Sequence, residues 1–429
     1  MKPRLPDEWK NLQATLNYIE TADAPPTRAN IAERLSLSRT TVSSLASQLI
    51  GAGLVEELKT EINGRGRPGI PLRICPERWY ALGAAFTGNE WRLLFVDLYG
   101  KTVAEHAIQV KSFSKEEFVK VLLSGLSFML ENKPGSLLPL IGIGAPGLVD
   151  SNSGAIIRAD DMRWRRIALG EIVLRGTGIP ALVMNRHRAS GLAEARFGAG
   201  RNVRNLIYIG IGTGISAAFI NDGVLMEGTS FSAGEIGHTI VDPSGPLCRC
   251  GKYGCLQAMA SSQALVRIVR ELHESMSAQD KPIPQNPLWN IVHDNSLLSG
   301  ELIGLEANKG NSVAVACMQK IAKILGMAAA NLINTLNPQK IIIGGSLGNT
   351  GPLLTQMIAR EAETQAMQAP LSVVTIAQSL LGNRAAALGA TCLPLQYKLE
   401  LLSGKKTARQ GPGPPYPEES GKTTGPADR

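Results

Sequence analysis

The spacing of apolar residues changes along the chain, and each change marks a different kind of element. Leu12, Leu16 and Ile19 lie three and four apart, the spacing of one helical face, and predict a helix over 8–21. Pro25 and Pro26 stop it. Thr27 is placed to cap a second helix over 28–35, with Ile31 and Leu35 turned inward. Ser38 is placed to cap a third, where Val42, Leu45, Leu49 and Ile50 share one side and Gly51 or Gly53 closes the end. The opposite side of that third helix carries Arg39, Thr40, Thr41, Ser43 and Ser44. Short hydroxyls and a guanidinium at a helix N-terminus suit phosphates and base edges in a major groove. A β pattern follows, interrupted by Asn63-Gly-Arg-Gly-Arg-Pro-Gly69. Arg65 and Arg67, set among glycines at a hairpin tip, would approach phosphates or a narrow groove without side-chain bulk. The pattern predicts a winged helix-turn-helix over 1–75 that binds double-stranded DNA.

From Tyr80 the pattern becomes an alternation of strands and helices. Strands are expected over 81–86 and 91–97, a helix over 113–131, strands over 140–144 and 181–184, and a helix over 189–195. The theme then repeats. Strands are expected over 205–210 and 215–220, joined to the hairpin turn Asn221-Asp-Gly223, followed by a helix over 313–336 and a strand over 340–343. Two such series imply a mixed α/β body of two lobes with a cleft between them. The expected bounds are 80–195 for the first lobe, completed by a C-terminal helix near 380–395, and 196–379 for the second.

Composition changes this picture only at the ends. The 429 residues suffice for two or three domains, and 44% hydrophobic with 19% charged residues describe a globular chain with ample core. A net charge of +8 is compatible with a polyanionic partner but also with many enzymes. The stretch 403–429 is rich in Gly, Pro, Lys, Thr and Ser and reads as a disordered tail. Met1-Lys-Pro-Arg4 leads into no apolar run, and no window approaches ~18 uninterrupted apolar residues, so a cytoplasmic protein with no membrane partner is expected.

The densest chemistry lies at Glu235-Ile-Gly-His238 and Cys248-Arg-Cys250-Gly-Lys-Tyr-Gly-Cys255. In a reducing compartment, clustered cysteines read as metal ligands rather than disulfides. His238, Cys248, Cys250 and Cys255 form the tetrahedral Cys₃His set of a structural Zn²⁺ site, with no position left for a reactive water. The remaining cysteines, Cys75, Cys317 and Cys392, sit among apolar neighbours and read as small core residues.

Taken together, these pieces resemble the ROK family of repressors, open reading frames and sugar kinases. The resemblance rests on Gly144-Ala-Pro-Gly147, Ala193-Glu-Ala-Arg-Phe-Gly198, Gly212-Thr-Gly214, Asn221-Asp-Gly223 and Ile342-Ile-Gly-Gly345, together with the His/Cys run. It spans roughly 80–395, and the helix-turn-helix in front resembles the repressor branch, to which xylose and N-acetylglucosamine repressors belong. It implies an actin/hexokinase-like pair of ribonuclease-H-like lobes. It also implies sugar contacts from Asn185, Glu235 and His238, with Gln257 standing where the family usually has Glu.

Two positions depart from the kinases of that family. Ala85 stands where they carry the Asp of the first phosphate loop, and Arg186 where they carry the Asp that takes the proton from the sugar hydroxyl. Arginine stays protonated at any working pH and cannot act as that base. No catalytic residue is therefore expected. The expectation is a sugar-responsive transcriptional regulator of carbohydrate genes, acting as a homodimer or a dimer of dimers on an operator. The alternative is a sugar kinase that also binds DNA. Arg186 adds a positive charge to the cleft, which points either to an acidic or phosphorylated sugar or to an internal salt bridge in a degenerate pocket.

Overall fold

The computed structural model describes residues 7–59, 69–278, 285–294 and 297–403. The first three helices are α1 (Asp7–Thr21), α2 (Arg28–Leu35) and α3 (Arg39–Gly51). Thr27 and Asn30 cap α2 reciprocally, and the Thr41 amide donates to Ser38 Oγ at 3.0 Å to start α3. Strands β1 (Val55–Glu57) and β2 (Leu72–Ile74) pair antiparallel behind them. The hairpin tip with Arg65 and Arg67 lies outside the described residues, as does 404–429 of the expected tail. Cys75, expected in the core, is only half-buried just beyond β2, while Cys317 and Cys392 are buried.

The body contains two five-stranded sheets of one topology. The first comprises β3 (Trp79–Thr87), β4 (Glu90–Val96), β5 (Thr102–Gln109), β6 (Ser136–Ala145) and, later in the chain, the edge strand Ala181–Asn185. Helix α4 (Lys115–Glu131) precedes β6. It begins two residues later than its apolar pattern suggests, because Ser114 caps it through the Glu117 amide at 3.1 Å. Between β6 and the edge strand lies a small antiparallel sheet, β7 (Leu148–Asp150), β8 (Ala155–Ala159) and β9 (Trp164–Ile167), and then α5 (Leu169–Thr177). The edge strand, β10, leads into α6 (Arg186–Phe197), which starts at Arg186 rather than Ala189 because Asn185 is its N-cap.

The second large sheet holds β11 (Leu206–Ile211), β12 (Ile215–Asn221), β13 (Val224–Leu225), and the later strands β14 (Lys340–Gly344) and β15 (Thr375–Gln378). In each sheet the first strand pairs antiparallel with the second on one side and parallel with the fourth on the other. After β13 comes a loop-rich stretch, then α7 (Leu256–Ala260), α8 (Ser262–Ser277), α9 (Gly300–Asn308) and α10 (Ser312–Leu336) before β14. Helices α11 (Gly345–Gly348), α12 (Pro352–Gln365) and α13 (Gln368–Leu371) separate β14 from β15. By length and composition α10 could cross a bilayer. Here Cys317, Met318, Ile321, Leu325 and Ile333 bury one side in the core of the second lobe while Lys320 and Lys323 face outward.

The last two helices, α14 (Ala385–Gln396) and α15 (Lys398–Leu402), bring the chain back to the first sheet. Helix α14 lies on β3 and β6 and packs against α6, which in turn lies on β11 and β12. That packing needs small residues. A Cβ on Gly389 would stand 1.7 Å from the carbonyl oxygen of Ala189. Beyond α14, Lys398 Nζ meets Glu20 Oε1 of α1 at 2.7 Å in a mostly buried pair. Gln13 of α1 donates to Glu400 at 2.9 Å. Trp9, Leu12, Leu16 and Ile19 share one apolar cluster with Ala85, Val96, Leu395 and Leu399. The helix-turn-helix unit is thus packed onto the body rather than tethered to it.

Candidate ligand cavity and DNA-facing helix

The residues expected to contact a sugar converge. Asn185, Glu235, His238 and Gln257 line one cavity of about 230 Å³, walled on the opposite side by Leu148, Arg158, Asp160 and Met162 of the small β7–β9 sheet and its turn. Asn185 sits at the end of β10, where its Oδ1 accepts from the His187 amide at 2.8 Å and the Arg188 amide at 3.3 Å. Its Nδ2 donates to the Gly147 carbonyl at 2.9 Å. With both jobs filled, its side-chain amide has one remaining N–H for a ligand.

Glu235 comes from the turn before a short 3-10 helix, Ile236–His238. Burial raises its carboxyl above the ordinary carboxylate range, and the nearby Arg188 charge opposes that rise. The turn is held against β12, where the Ala217 amide donates to the Gly234 carbonyl at 2.7 Å. A side chain on Gly237 would stand 2.1 Å from the Ile215 carbonyl oxygen.

The metal-ligand set is also assembled. The ligand atoms of His238, Cys248, Cys250 and Cys255 all lie within 4.8 Å of one another. His238 presents Nδ1 to Cys248 Sγ at 3.8 Å, and Cys250 Sγ stands 3.6 Å from Cys255 Sγ. A tight turn places the first two thiols, with the Cys248 amide donating to the Lys252 carbonyl at 2.7 Å. The third thiol starts α7, one residue after Gly254, which has φ +68° and whose Cβ would stand 1.5 Å from the Asp242 carbonyl oxygen. Burial pushes the Cys255 thiol up to about 12, and Cys248 up as well, so without a cation these groups hold protons. One nitrogen and three sulfurs around a common centre are a set that could hold a metal ion. Gln257 Nε2 is 3.8 Å from Cys248 Sγ, which ties the metal-ligand set to the cavity wall.

Two charged residues of the cavity wall, Arg158 and Asp160, and the nearby Arg188 were not singled out from sequence. Arg158 and Asp160 form an ion pair at 2.5 Å, and Arg165 joins Asp160 at 3.1 Å. Arg188, almost wholly buried on α6, donates to the Phe231 carbonyl at 2.9 Å and pairs with Glu227 at 3.3 Å. It ties α6 to the start of the loop that carries Glu235. The available signal was a second guanidinium in the first turn of a helix that has no acidic residue there.

Arg186 and His187 line both this cavity and a second cleft. The Thr87–Glu90 turn, Gly212-Thr213 and Gly345-Ser346 form the walls of that cleft. Ala85 is buried mid-strand in β3, opposite Arg92 of β4 and Gly144 of β6, and presents no carboxylate to the cleft. At the other end of the molecule Arg39, Thr40, Ser43 and Ser44 are exposed on one side of α3. Thr41 is half-buried, with its hydroxyl 2.7 Å from Ser38 Oγ inside the cap.

A helix-turn-helix unit packed on a two-lobed α/β body, with a polar cavity and an adjacent metal-ligand set, defines a DNA-binding protein with a small-molecule site. The chain belongs to the ROK family, whose model matches residues 82–396. The IclR helix-turn-helix domain matches residues 14–59. The xylose repressor of Bacillus subtilis (strain 168) is 28% identical over 383 residues, covering 89% of this chain and 94% of its own length. A glucokinase of Halalkalibacterium halodurans is 30% identical over 342 residues, covering 77% of this chain and 99% of the enzyme. A solved ROK-family transcriptional regulator, described as a homolog of the E. coli MLC protein, superimposes with a TM-score of 0.77 at 26% identity. It covers 93% of this chain and 100% of its own. The body accordingly has the actin/hexokinase-like fold of that family.

Proposed function

We infer that this protein is a sugar-responsive, DNA-binding transcriptional repressor, cytoplasmic and homodimeric, that does not phosphorylate its ligand. The observation that carries the reading is the packing of the helix-turn-helix unit and the cavity-bearing body into one molecule. Asn185 of the cavity caps α6, α6 packs on α14, and α14 continues into α15, which meets α1 through Lys398–Glu20 and Gln13–Glu400. A ligand that prefers one arrangement of the lobes would bias the position of α3 through that path. The extent of the resemblances supports the same reading, because the repressor match takes in more of this chain than the glucokinase match.

Arg39, Thr40, Thr41, Ser43 and Ser44 would enter the major groove, and Arg65 and Arg67 would reach phosphates or the minor groove. Glu235, His238, Gln257 and the remaining N–H of Asn185 would bind sugar hydroxyls. Zinc suits the four ligands, since zinc–sulfur bonds near ~2.3 Å separate sulfurs in a tetrahedron by roughly 3.8 Å. A structural ion there supplies rigidity and no reactive water. With Nδ1 on the metal, Nε2 of His238 is assigned to a ligand hydroxyl. Catalysis is lost with Ala85 and Arg186, which supply neither a phosphate-loop carboxylate nor a base.

A mobility-shift titration on the region upstream of its own gene tests this. The expected result is a salt-dependent shift, weakened about tenfold or more by Arg39→Ala, altered by one or more sugars, with no hexose-dependent ADP release. ADP release with any hexose would favour the kinase reading that the glucokinase resemblance supports. Failure to retain DNA even at low salt would remove the repressor.

A further inference from the structure

We propose that Glu194 is the pin of the hinge between the two lobes, its one carboxylate holding both segments of chain that cross from lobe to lobe. The pin rests on the fold alone, and its bearing on regulation rests on the ligand response proposed above.

The chain passes between the two large sheets twice, outward after α6 through 198–205 and back after β15 through 379–384. Both crossings meet the same side chain. Glu194, wholly buried in the last turn of α6, accepts on Oε2 from the Ala199 amide at 2.8 Å. Its Oε1 accepts from Ser379 Oγ at 2.5 Å and from the Leu381 amide at 3.1 Å. Each crossing is also tied to β14 of the second sheet. Lys340 Nζ donates to the Ala199 carbonyl at 2.9 Å, and the Ser379 amide donates to the Ile343 carbonyl at 2.8 Å. On its way to α14 the return crossing is fastened to the first sheet by Arg384, which pairs with Glu105 of β5 at 2.7 Å.

Neither helix stability nor charge pairing accounts for a carboxylate at this place. In the last turn of a helix it opposes the dipole. Among the described residues no basic side chain pairs with it, and its partners are two amides and one hydroxyl. A buried carboxylate is costly unless its oxygens are hydrogen-bonded, and here every donor comes from one of the two crossings. The first crossing also makes room for it, since a Cβ on Gly198 would stand 2.1 Å from Oε2.

The pin lies toward one end of α6 and the cavity at the other, where Asn185 caps the helix and Arg186 and His187 line the wall. The helix rises about 12 Å from Arg186 to Glu194, so a turn of about 10° at the pin shifts the facing wall by roughly 2 Å. Two crossings that share one acceptor turn together and do not slide past each other. Glu194 is therefore a positioning residue, which turns lobe movement into rotation about a fixed point.

The test needs no ligand, so its failure removes the pin and leaves the sugar-responsive reading as it stands. Spin labels on ketone-bearing residues at the exposed positions 133 and 363, one in each lobe, report the distance between lobes in the full chain supplied with zinc. Hydrogen exchange on the same protein reports the crossings. Glu194→Ala is expected to widen the distance distribution about twofold or more. It should also speed exchange in 198–204 and 379–384 about tenfold, with less than about threefold change in β3, β6, β11 and β14. Should that variant not fold, Ser379→Ala is the milder one. It should speed exchange in 379–384 and spare 198–204, with a smaller widening. Acceleration spread evenly over both sheets would make Glu194 a general stabilising residue and overturn the proposal. So would a distance distribution no wider than that of the unsubstituted chain in whichever of the two variants folds.

Discussion

Two insertions face each other across the cavity, and they are held by different means. The β7–β9 insertion follows β6 of the first sheet, and the metal loop follows β13 of the second. They hang on sheets of identical topology, so the sheets themselves do not distinguish them. The first is a three-stranded sheet whose inner side, Val149, Ile156, Trp164 and Ile167, is buried in the core of its lobe. Trp164 packs 4.6 Å from the Phe118 ring and donates to the Phe113 carbonyl at 3.0 Å. The second has little regular structure between Leu225 and Leu256 beyond one 3-10 turn and two isolated bridges. What converges in it is four ligand atoms. A loop with few buried apolar groups does not offset its own ordering entropy, and a cross-linking cation can. The fold thus builds one wall by hydrophobic burial and gathers in the other a donor set that could hold a metal ion.

The largest test of that contrast is removal of any metal held by the four ligands. Chelation, or Cys255→Ser, is expected to lower the melting temperature by on the order of 5–10 °C and to abolish the sugar response, with DNA retention surviving. Limited proteolysis of the chelated protein should cut within 226–255 and spare 148–167. Cleavage of both segments at equal rates would mean that the two walls are one cooperative unit.

Trp164→Ala is the converse experiment. Truncating a buried tryptophan costs ~3–5 kcal/mol, and here it also leaves the Phe113 carbonyl without its partner. The loss should appear in denaturant midpoints whether or not metal is present. If added zinc restored the variant, the first wall would depend on coordination too.

The contrast also explains what could be read from sequence. Periodicity located α1–α3 and the long strands within a few residues, because Leu12, Leu16, Ile19 and the runs at 81–86 and 340–343 face a core on one or both sides. The donor set of the metal loop was legible because Cys and His are few and their spacing is local. The lining of the first wall was not. Its strands are three to five residues long, and Arg158, Asp160 and Arg165 break the alternation that would mark them. Cavity membership of Arg158 arises from tertiary placement, which no window of sequence contains. Asn185 was legible as a cavity residue, but its role as the cap of α6 was hidden by a helix start placed three residues late.

Acid gives the finest comparison, because it acts on the histidine of the helix that begins at the cavity. His187 is neutral in the folded chain, with its imidazole pushed down to about 3 by burial. An unfolded histidine titrates near ~6.5. Between these values the unfolded state binds the extra proton, so stability is full above about pH 6.5 and falls as the pH drops toward 3. One such group costs about 1.4 kcal/mol at one unit below the unfolded value. In chelated protein, where loss of metal no longer contributes, denaturant titrations from about pH 7 to about pH 5.5 should show that slope. His187→Gln should flatten it, whatever the variant's absolute stability. If the slope persists in the variant, the acid sensitivity comes from another group. If it vanishes with the metal alone, His187 is solvated as the lobes move, and α6 is not the fixed axis between the two walls.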